Sequence, residues 1–422
     1  MPDYKRKKVN RFFKNKPKHK KAEEKIVMDN KKSSKRSILP QDKIKIVRGN
    51  KFIRQQRTRF VAGFAVIVCI VLLILSVSMP GGLYENVVNY TAMLGHGSYP
   101  VSVSGGTVID SVSGGSYYYV LTDTNIAAYS NSGKILFDEL HGFANPVMKV
   151  SATRVMVYDQ GGKLLYLYNL GGKIDTLDAQ NEILAAAISD DGKIAVSTHA
   201  SNAFLATVYN KNLKQIYQWT SPNEIISDVL LHSSGKKMAV STLNVVSGQY
   251  SSKVHIIKFN KESADPIHTL DLGTSLPLSI SNNGKGISIV CNDKYKFLHW
   301  AKFTTKEIAL SGEINICRNT SNGMLLVFNL ANNRNDNTIV LVSKKGTISS
   351  EFKTQGLVTD IQYNKGRVYL LSDTTVTIYN KKGKLLRYDE TEYGTKKFAV
   401  TSSNAIAAIS DNKIVKTNID KG

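Results

Sequence analysis

The chain has 422 residues and a formal net charge of +23. Its length exceeds one ordinary compact core, and its three cysteines exclude the disulfide framework of a small secreted domain. The charge is uneven, because residues 1–59 carry a net +17 and residues 60–422 only +6. The basicity therefore belongs to the N-terminal segment, which argues against nucleic acid as the partner of the rest of the chain.

Residues 1–59 are predicted to form a disordered basic tail. High like charge with low hydrophobicity buries too little apolar surface to offset the entropy of the chain. We interpret the tail mainly as a topology signal. An alternative remains in which the tail itself is the effector and binds nucleic acid or a cytoplasmic partner.

An apolar run, Phe60 to Met79, separates the tail from everything that follows. It contains 20 residues and no charge. A helix of that length covers about 30 Å, the thickness of a bilayer's hydrocarbon core. We predict one transmembrane helix over residues 60–79 that acts as an uncleaved signal anchor. A cleaved signal peptide is the alternative, since Ser76-Val77-Ser78 resembles a cleavage site.

The residues that flank the run predict its orientation. The N-terminal flank is basic, at Lys43, Lys45, Arg48, Lys51, Arg54, Arg57 and Arg59, whereas Pro80–Tyr99 carries one charge, Glu85. The positive-inside rule places the N-terminus in the cytoplasm and the C-terminal domain outside the plasma membrane. The same basic residues are expected to contact anionic lipid of the inner leaflet.

The remainder is predicted to be a linker, residues 80–99, and an all-β domain, residues 100–422. Short apolar runs rich in Val, Ile, Thr and Tyr alternate with turns of Gly, Asn, Asp and Ser, as is typical of strands. One complete unit, Ile183–Trp219, reads as four antiparallel strands, with Asp190-Asp191-Gly192 as its first turn. That is the content of one propeller blade.

The unit recurs along the domain. First strands are predicted to begin near Thr107, Pro146, Ile183, Ile225, Pro277, Ile314, Leu357 and Lys396. The spacing is about 41 residues per repeat, as in four-stranded blades. The last repeat ends after three strands, and Pro100–Ser104 is placed to supply the fourth. We predict an eight-bladed β-propeller, with seven blades as the alternative.

Several segments carry more specific predictions. Asn244–Ser252 is interpreted as a polar loop, and Asn332–Asn337 as a flexible connector, with a cation site as its alternative. Alternation along a strand puts Tyr118 opposite its neighbours Tyr117 and Tyr119, so two of the three tyrosines are expected in the core. Cys291 and Cys317 are expected to be free thiols, with a disulfide between them as the alternative.

The common motifs of catalysis and ligand binding are absent from the sequence. The eight histidines show no metal-ligand spacing, and no nucleophile elbow or phosphate-binding loop occurs. No catalytic, cofactor-binding or metal-ligating residue is therefore predicted.

Three hairpins share the pattern Tyr-x-x-x-Gly-Lys, at Ile126–Phe137, Leu165–Ile174 and Val376–Leu386. They resemble the quinoprotein-like and WD-repeat group of β-propellers. The whole plan also resembles a family of bacterial single-pass membrane proteins of unknown function with an extracytoplasmic propeller. Quinone-dependent dehydrogenases of the group place a tryptophan after the Gly-Lys turn, where this chain has Phe137, Thr176 and Arg387. The resemblance therefore implies the fold and no cofactor.

These observations favour a non-enzymatic role. We predict a membrane-anchored, extracytoplasmic propeller that binds a protein or glycan of the cell envelope as a scaffold or sensor. The alternative is a propeller enzyme on the outer face of the membrane, either a quinone-dependent dehydrogenase or a hydrolase that uses the central channel.

Overall fold

The structure is a computed structural model that describes residues 60–72, 74, 82–259, 265–310, 312–330 and 333–420. Residues 60–72 are helical, with exposed side chains. Within these ranges no helix is both long and apolar enough to span a bilayer. The predicted span lies outside the described residues at positions 73 and 75–79, and the predicted basic tail, with its flanking lysines and arginines, lies outside them entirely.

The described residues from 82 onward belong to one compact unit, Val68–Gly422. It begins with helix α1, Leu83–Ala92, and continues as all-β structure. Residues 80–99 were predicted as a linker, but Leu83–Ala92 is helical and is followed by a further link to the first strand. Polar contacts with turns of the sheets stabilise the helix.

The first four blades are four-stranded antiparallel sheets. Blade 1 contains β2 (Val108–Ser113), β3 (Tyr117–Thr122), β4 (Asn125–Ser130) and β5 (Ile135–Leu140). Blade 2 contains β6 (Pro146–Val150), β7 (Val155–Asp159), β8 (Leu164–Asn169) and β9 (Gly172–Asp178). Blade 3 contains β10 (Glu182–Ile188), β11 (Ile194–Ala200), β12 (Ala203–Tyr209) and β13 (Gln215–Ser221). Blade 4 contains β14 (Ile225–Leu231), β15 (Lys237–Val246), β16 (Gln249–Lys258) and β17 (His268–Gly273).

The other four blades repeat the plan. Blade 5 contains β18 (Pro277–Asn283), β19 (Gly286–Cys291), β20 (Lys294–His299) and β21 (Thr305–Ala309). Blade 6 contains β22 (Glu313–Thr320), β23 (Gly323–Leu330), β24 (Asn333–Ser343) and β25 (Ile348–Gln355). Blade 7 contains β26 (Val358–Asn364), β27 (Arg367–Ser372), β28 (Thr375–Asn380) and β29 (Leu385–Glu390). Blade 8 contains β30 (Lys397–Ser402), β31 (Ala405–Ile409), β32 (Lys413–Asn418) and, from the N-terminal side, β1 (Val101–Ser102).

The prediction of eight blades is confirmed, and every first strand begins within one residue of its predicted position. The predicted closure is confirmed as well. Val101 and Ser102 pair antiparallel with Ile414 and Lys413, so the start of the domain supplies the outer strand of the last blade. The first strands of blades 8 and 1, β30 and β2, contact each other, which completes the ring. Such closure leaves no unpaired seam between the chain ends.

The core lies between the blades. Each sheet packs against a neighbour on both faces, so its middle strands are buried on both sides; in β19 all six residues are buried. Tyr118 and Tyr119 are fully buried, whereas Tyr117 is half-buried. Two of the three tyrosines are thus in the core, as predicted. The two are neighbours in sequence and therefore point to opposite faces of β3, which is possible because both faces are covered.

Two predicted loops are strands. Asn244–Ser252 forms the ends of β15 and β16, whose ladder extends to the pair Val246 and Gln249 around a turn with Gly248 at φ 78°. Residues 333–337 of the predicted connector are the beginning of β24, where Asn337 pairs with Asn329. Polar composition was misleading here, because long hairpins that project beyond the core satisfy their backbone groups within the ladder and need no apolar face.

Candidate functional site

The ring has two different faces, which we name by their turns. The proximal face carries the turns between first and second strands and between third and fourth strands. The distal face carries the turns between second and third strands and the loops that join blades. The central channel is lined by the first strands. Two cavities that the described residues form there are bordered by residues of the proximal turns, such as Asp190 and Ser321. The channel therefore opens on the proximal face.

An aspartate recurs in the first strands of three blades, in the wall of the channel. Asp110, Asp228 and Asp360 lie at the β-bulges of the first strands of blades 1, 4 and 7. Each carboxylate accepts the backbone N–H of the next residue, at 2.8, 2.9 and 2.9 Å respectively. In two of them the second oxygen accepts an N–H from the following blade: Ile280 to Asp228 at 3.1 Å and Phe398 to Asp360 at 3.2 Å. These aspartates therefore join neighbouring blades.

Arg318 of blade 6 crosses the channel. Its Nη2 lies 2.7 Å from Asp360 Oδ1, and its Nη1 lies 3.3 Å from Asp110 Oδ1. Nη1 also donates to the carbonyl of Ser111 at 3.0 Å. Burial works against the charge of Arg318, but Asp360 and Asp110 outweigh it and raise the pKa of the guanidinium. One side chain thus connects three blades with a charge-assisted network.

Further hydrogen bonds tie the same side of the channel together. Ser111 Oγ and Gln362 Nε2 both donate to the carbonyl of Phe398, the first at 3.1 Å. Ser113 Oγ donates to Gln362 Oε1 at 2.8 Å. Blades 6, 7, 8 and 1 therefore form a cross-linked half of the channel, which leaves a cavity of about 270 Å³.

The other half of the channel is open. A cavity of about 400 Å³ is lined by the first strands and adjoining turns of blades 2 to 6. Lys149 of β6 points to this space with Cys317, Ser281 and Asn319. Burial raises the pKa of Asp228 in the nearby wall, against the opposing effect of Lys149. The open half thus combines a cation, small hydroxyl groups and amides in a partly enclosed space.

Helix α1 is fixed to the proximal face by a buried ion pair. Arg154, in the first turn of blade 2, directs Nε to Glu85 Oε1 and Oε2 at 2.9 and 3.0 Å. Both side chains are less than a tenth exposed. Asn89 adds two bonds, donating to the Thr153 carbonyl at 3.0 Å and accepting the Leu170 N–H at 2.8 Å. The helix is therefore part of the folded domain.

The C-terminus of α1 meets a Gly-Lys turn of blade 1. Lys134 Nζ donates to the carbonyls of Ala92 and Leu94 at 2.8 and 2.5 Å, which satisfies carbonyls that a helix end leaves unpaired. The chain then passes so close to this turn that a Cβ on Gly97 would lie 2.1 Å from the Lys134 backbone nitrogen. Gly133 itself has φ 84°, a conformation that favours glycine.

The distal face carries a second polar cluster, at blade 4. Glu224 lies 2.6 Å from Lys253 Nζ and 3.0 Å from His255 Nε2, and it accepts a bond from Thr242 at 2.8 Å. Burial acts to raise the pKa of Glu224, but these bonds lower it to about 2. Beyond the cluster the β15–β16 tip exposes Val245, Val246 and Tyr250, each by more than half.

The sequence predicted no site residue in the propeller, so these clusters were all missed. The sequence contains a weak indication of the bulge aspartates, since each of the three follows the start of a first strand by two or three residues. The sequence gives no indication of Arg318 or Glu85, because their partners are distant in the chain, or of Lys149, because the cavity around it is built from several blades. Cys291 and Cys317 are free thiols, as predicted. In the described part of the chain, no group of three or more His, Cys, Asp or Glu side chains is placed to hold a metal ion.

Comparison with known proteins supports the fold. A family model described as a family of unknown function (DUF5711) matches residues 88–419. The C-terminal WD40 domain of Sif2 is similar in structure, with a TM-score of 0.54, 12% identity, and coverage of 77% of this chain and 100% of that one. The Dos1 propeller gives a TM-score of 0.53 and 9% identity, covering 79% and 97%.

BamB from Moraxella catarrhalis gives a TM-score of 0.46 and 12% identity, covering 74% of this chain and all of that one. No curated protein sequence matches the chain. At these identities the structural similarity shows the fold alone. The resemblance to WD-repeat propellers is therefore confirmed for the architecture, and the resemblance to membrane proteins stays a prediction.

Proposed function

The chain belongs to the family of unknown function DUF5711, and we propose that it is a membrane-anchored, extracytoplasmic scaffold. In this proposal the propeller binds a protein or glycan of the cell envelope without catalysing a reaction. The apolar run 60–79 is the anchor, and the basic residues before it hold the N-terminus in the cytoplasm and contact anionic lipid.

The attachment of α1 to the proximal face carries this proposal. Only residues 80–82 separate the end of the apolar run from Leu83, and the Glu85–Arg154 pair fixes the helix to blade 2. In this proposal the anchor therefore joins the domain next to the proximal turns of blades 1 and 2. The distal face lies on the opposite side of the ring from α1, and its β15–β16 tip is exposed to a partner.

The bulge aspartates of the channel support a binding role over an enzyme that would use them as general acid or base. Asp110 and Asp360 are paired with Arg318, and Asp228 accepts two backbone N–H groups. A general acid or base needs a titratable group that can reach substrate. These carboxylates instead join blades to one another.

Topology can be tested by chemical labelling in intact cells. Val245→Cys puts a thiol on the exposed hairpin tip, and Ser33→Cys puts one in the tail. A membrane-impermeant maleimide should modify residue 245 in intact cells and residue 33 only after permeabilisation, as read by peptide mass spectrometry. The reverse pattern, or modification of neither residue before permeabilisation, would contradict the proposed location.

Partner binding can be tested by proximity labelling from the C-terminus. The double change Val245→Ser/Tyr250→Ser should reduce recovery of the most enriched envelope protein. The matched control is Ile348→Ser/Tyr388→Ser, which alters side chains of similar exposure on outer strands. Equal recovery from both variants would argue against the hairpin tip, and recovery of cytoplasmic proteins alone would argue against the whole proposal.

A further inference from the structure

The open half of the channel is a cavity with a single cation. Among the described residues that line it, Lys149 is the one basic side chain and Asp190 the one acidic side chain. Within the described chain the Lys149 amine forms no ion pair and no hydrogen bond. A half-buried ammonium group without a partner is costly in a folded protein, and a bound anion would compensate it.

The two nearby carboxylates are already engaged. Asp228 accepts the N–H groups of Val229 and Ile280 at 2.9 and 3.1 Å, so its oxygens hold the wall. Asp190 accepts the Ala152 N–H at 3.3 Å at the rim. Neither carboxylate lies within ion-pair distance of Lys149 in the described structure. Their charge nevertheless disfavours a ligand with two or more negative charges.

Several neutral groups around Lys149 are also without partners. Ser281 Oγ is buried and has no hydrogen-bond partner among the described atoms. The hydroxyl groups of Ser233 and Ser279 and the amide of Asn319 line the same cavity and form no side-chain bond within the described residues. The Asn282 amide, in contrast, is already paired, because it donates to the Leu231 carbonyl and accepts the Trp300 Nε1–H. Buried polar atoms are rarely left unpaired, so Ser281 Oγ suits a polar ligand. Ser279 is half-buried, and Ser233 and Asn319 are exposed at the cavity wall, where they can add hydrogen bonds to the same ligand.

We propose that this cavity binds a small polar ligand through one carboxylate, with Lys149 as its counter-ion and the serine hydroxyls and Asn319 as hydrogen-bond partners. The volume of about 400 Å³ is within the range of small-ligand pockets. The carboxylate belongs either to a free small molecule or to an acidic side chain of a bound peptide. This site is separate from the distal-face partner and does not depend on it.

Cys317 provides a reporter inside the cavity. Iodoacetate carries a carboxylate and iodoacetamide is its neutral counterpart, so the ratio of their alkylation rates at Cys317 measures attraction of a carboxylate. Burial raises the pKa of the Cys317 thiol, against opposing effects of Arg318 and Lys149. A change in that pKa alters both rates alike and cancels in the ratio.

The full-length protein in detergent is compared with three variants by mass spectrometry of the Cys317 peptide. Lys149→Met should lower the iodoacetate-to-iodoacetamide ratio about fivefold, as expected for removal of one unit charge from the cavity that holds the thiol. Lys149→Arg should retain the ratio, and the exposed Lys163→Met should leave it unchanged. A ratio that is unaffected by Lys149→Met, or lowered equally by Lys163→Met, would overturn the proposal.

Protection of Cys317 from iodoacetamide then identifies the source of the carboxylate. The probes are acetate, glutamate, end-blocked Ala-Glu-Ala and Ala-Gln-Ala, and inorganic phosphate, each at about 10 mM, which saturates a site with a Kd of about 1 mM. Protection by acetate or glutamate supports a free ligand. Protection by the Glu peptide and not the Gln peptide supports a peptide side chain. Stronger protection by phosphate, or none by any probe, overturns the proposal.

Discussion

At the scale of single residues, Arg318 joins blades 6, 7 and 1 across the channel. It pairs with Asp360, which is fully buried, and reaches Asp110 across three blades. A buried charge without its partner is much more costly than the same charge in a pair. Replacing the arginine should therefore affect the whole ring.

We expect Arg318→Met to lower the free energy of unfolding by about 3–5 kcal/mol, because Asp360 would be left buried without its counter-ion. Urea unfolding followed by circular dichroism measures the change. The matched control is Arg334→Met, at an exposed position in β24, which should change stability by less than about 0.5 kcal/mol. Adding Asp360→Asn to Arg318→Met should recover part of the loss; a double variant as unstable as the sum of both would contradict this explanation.

A second residue-scale prediction concerns Glu224 and pH. Its pKa is lowered from 4.5 to about 2, so the folded state gains stability from the ionised carboxylate above about pH 4.5 and loses it as the pH falls toward 2. Glu224→Gln should therefore be less stable than the parent at pH 6, and this difference should shrink progressively at lower pH.

Unfolding free energies of both proteins between pH 6 and acid conditions measure the effect. Glu351→Gln, at an exposed position of β25, serves as the control and should show no such pH-dependent difference. A constant difference between Glu224→Gln and the parent over the whole range would mean that the Lys253 and His255 bonds do not hold the carboxylate ionised.

At the scale of elements, α1 illustrates how a short helix is stabilised by tertiary contacts. Ten residues are too few for a stable isolated helix in water. Glu85, Asn89 and the C-terminal carbonyls all bond to turns of blades 1 and 2. The Gly-Lys turn recurs in three hairpins. In blade 1 its lysine, Lys134, has the additional role of pairing with the C-terminal carbonyls of α1.

Arg154→Met should release α1 while the blades stay folded. Hydrogen exchange of residues 83–92 should accelerate at least tenfold, because the buried Glu85 would lose its partner and the helix would open locally. Exchange in β7 and β11 should change little. Lys163→Met is the control. If β7 opened together with the helix, α1 would be an integral part of the blade 2 core and not a separately docked element.

At the scale of the whole molecule, stability depends on closure of the ring by β1. Val101 is buried and belongs to a core cluster with Tyr118 and Ile414, so two residues join the beginning and the end of the domain. Other outer strands have no comparable role, since losing their contacts would loosen one blade and leave the ring intact.

Val101→Asp should destabilise the propeller by at least about 3 kcal/mol, because a charge would be buried at the closure. Ile216→Asp, at an exposed position on the outer strand of blade 3, should cost less than about 1 kcal/mol. Thermal and urea unfolding of both variants test this. Similar losses for the two would show that blade 8 contributes to stability no more than any other blade.

The repeated blades and the closure could be predicted from the sequence alone, which favoured eight blades over seven. Each blade is a set of hairpins between residues near in the chain, so apolar runs and turn residues are enough to define it. The channel, the attachment of α1 and the long hairpins became visible only in the folded chain. Arg318 and Asp110 are 208 residues apart, and no local pattern can indicate a contact that exists only once the ring is closed. Lys149 could not be singled out for the same reason. That its amine has no partner becomes apparent only when the residues of the other blades that surround it are in place.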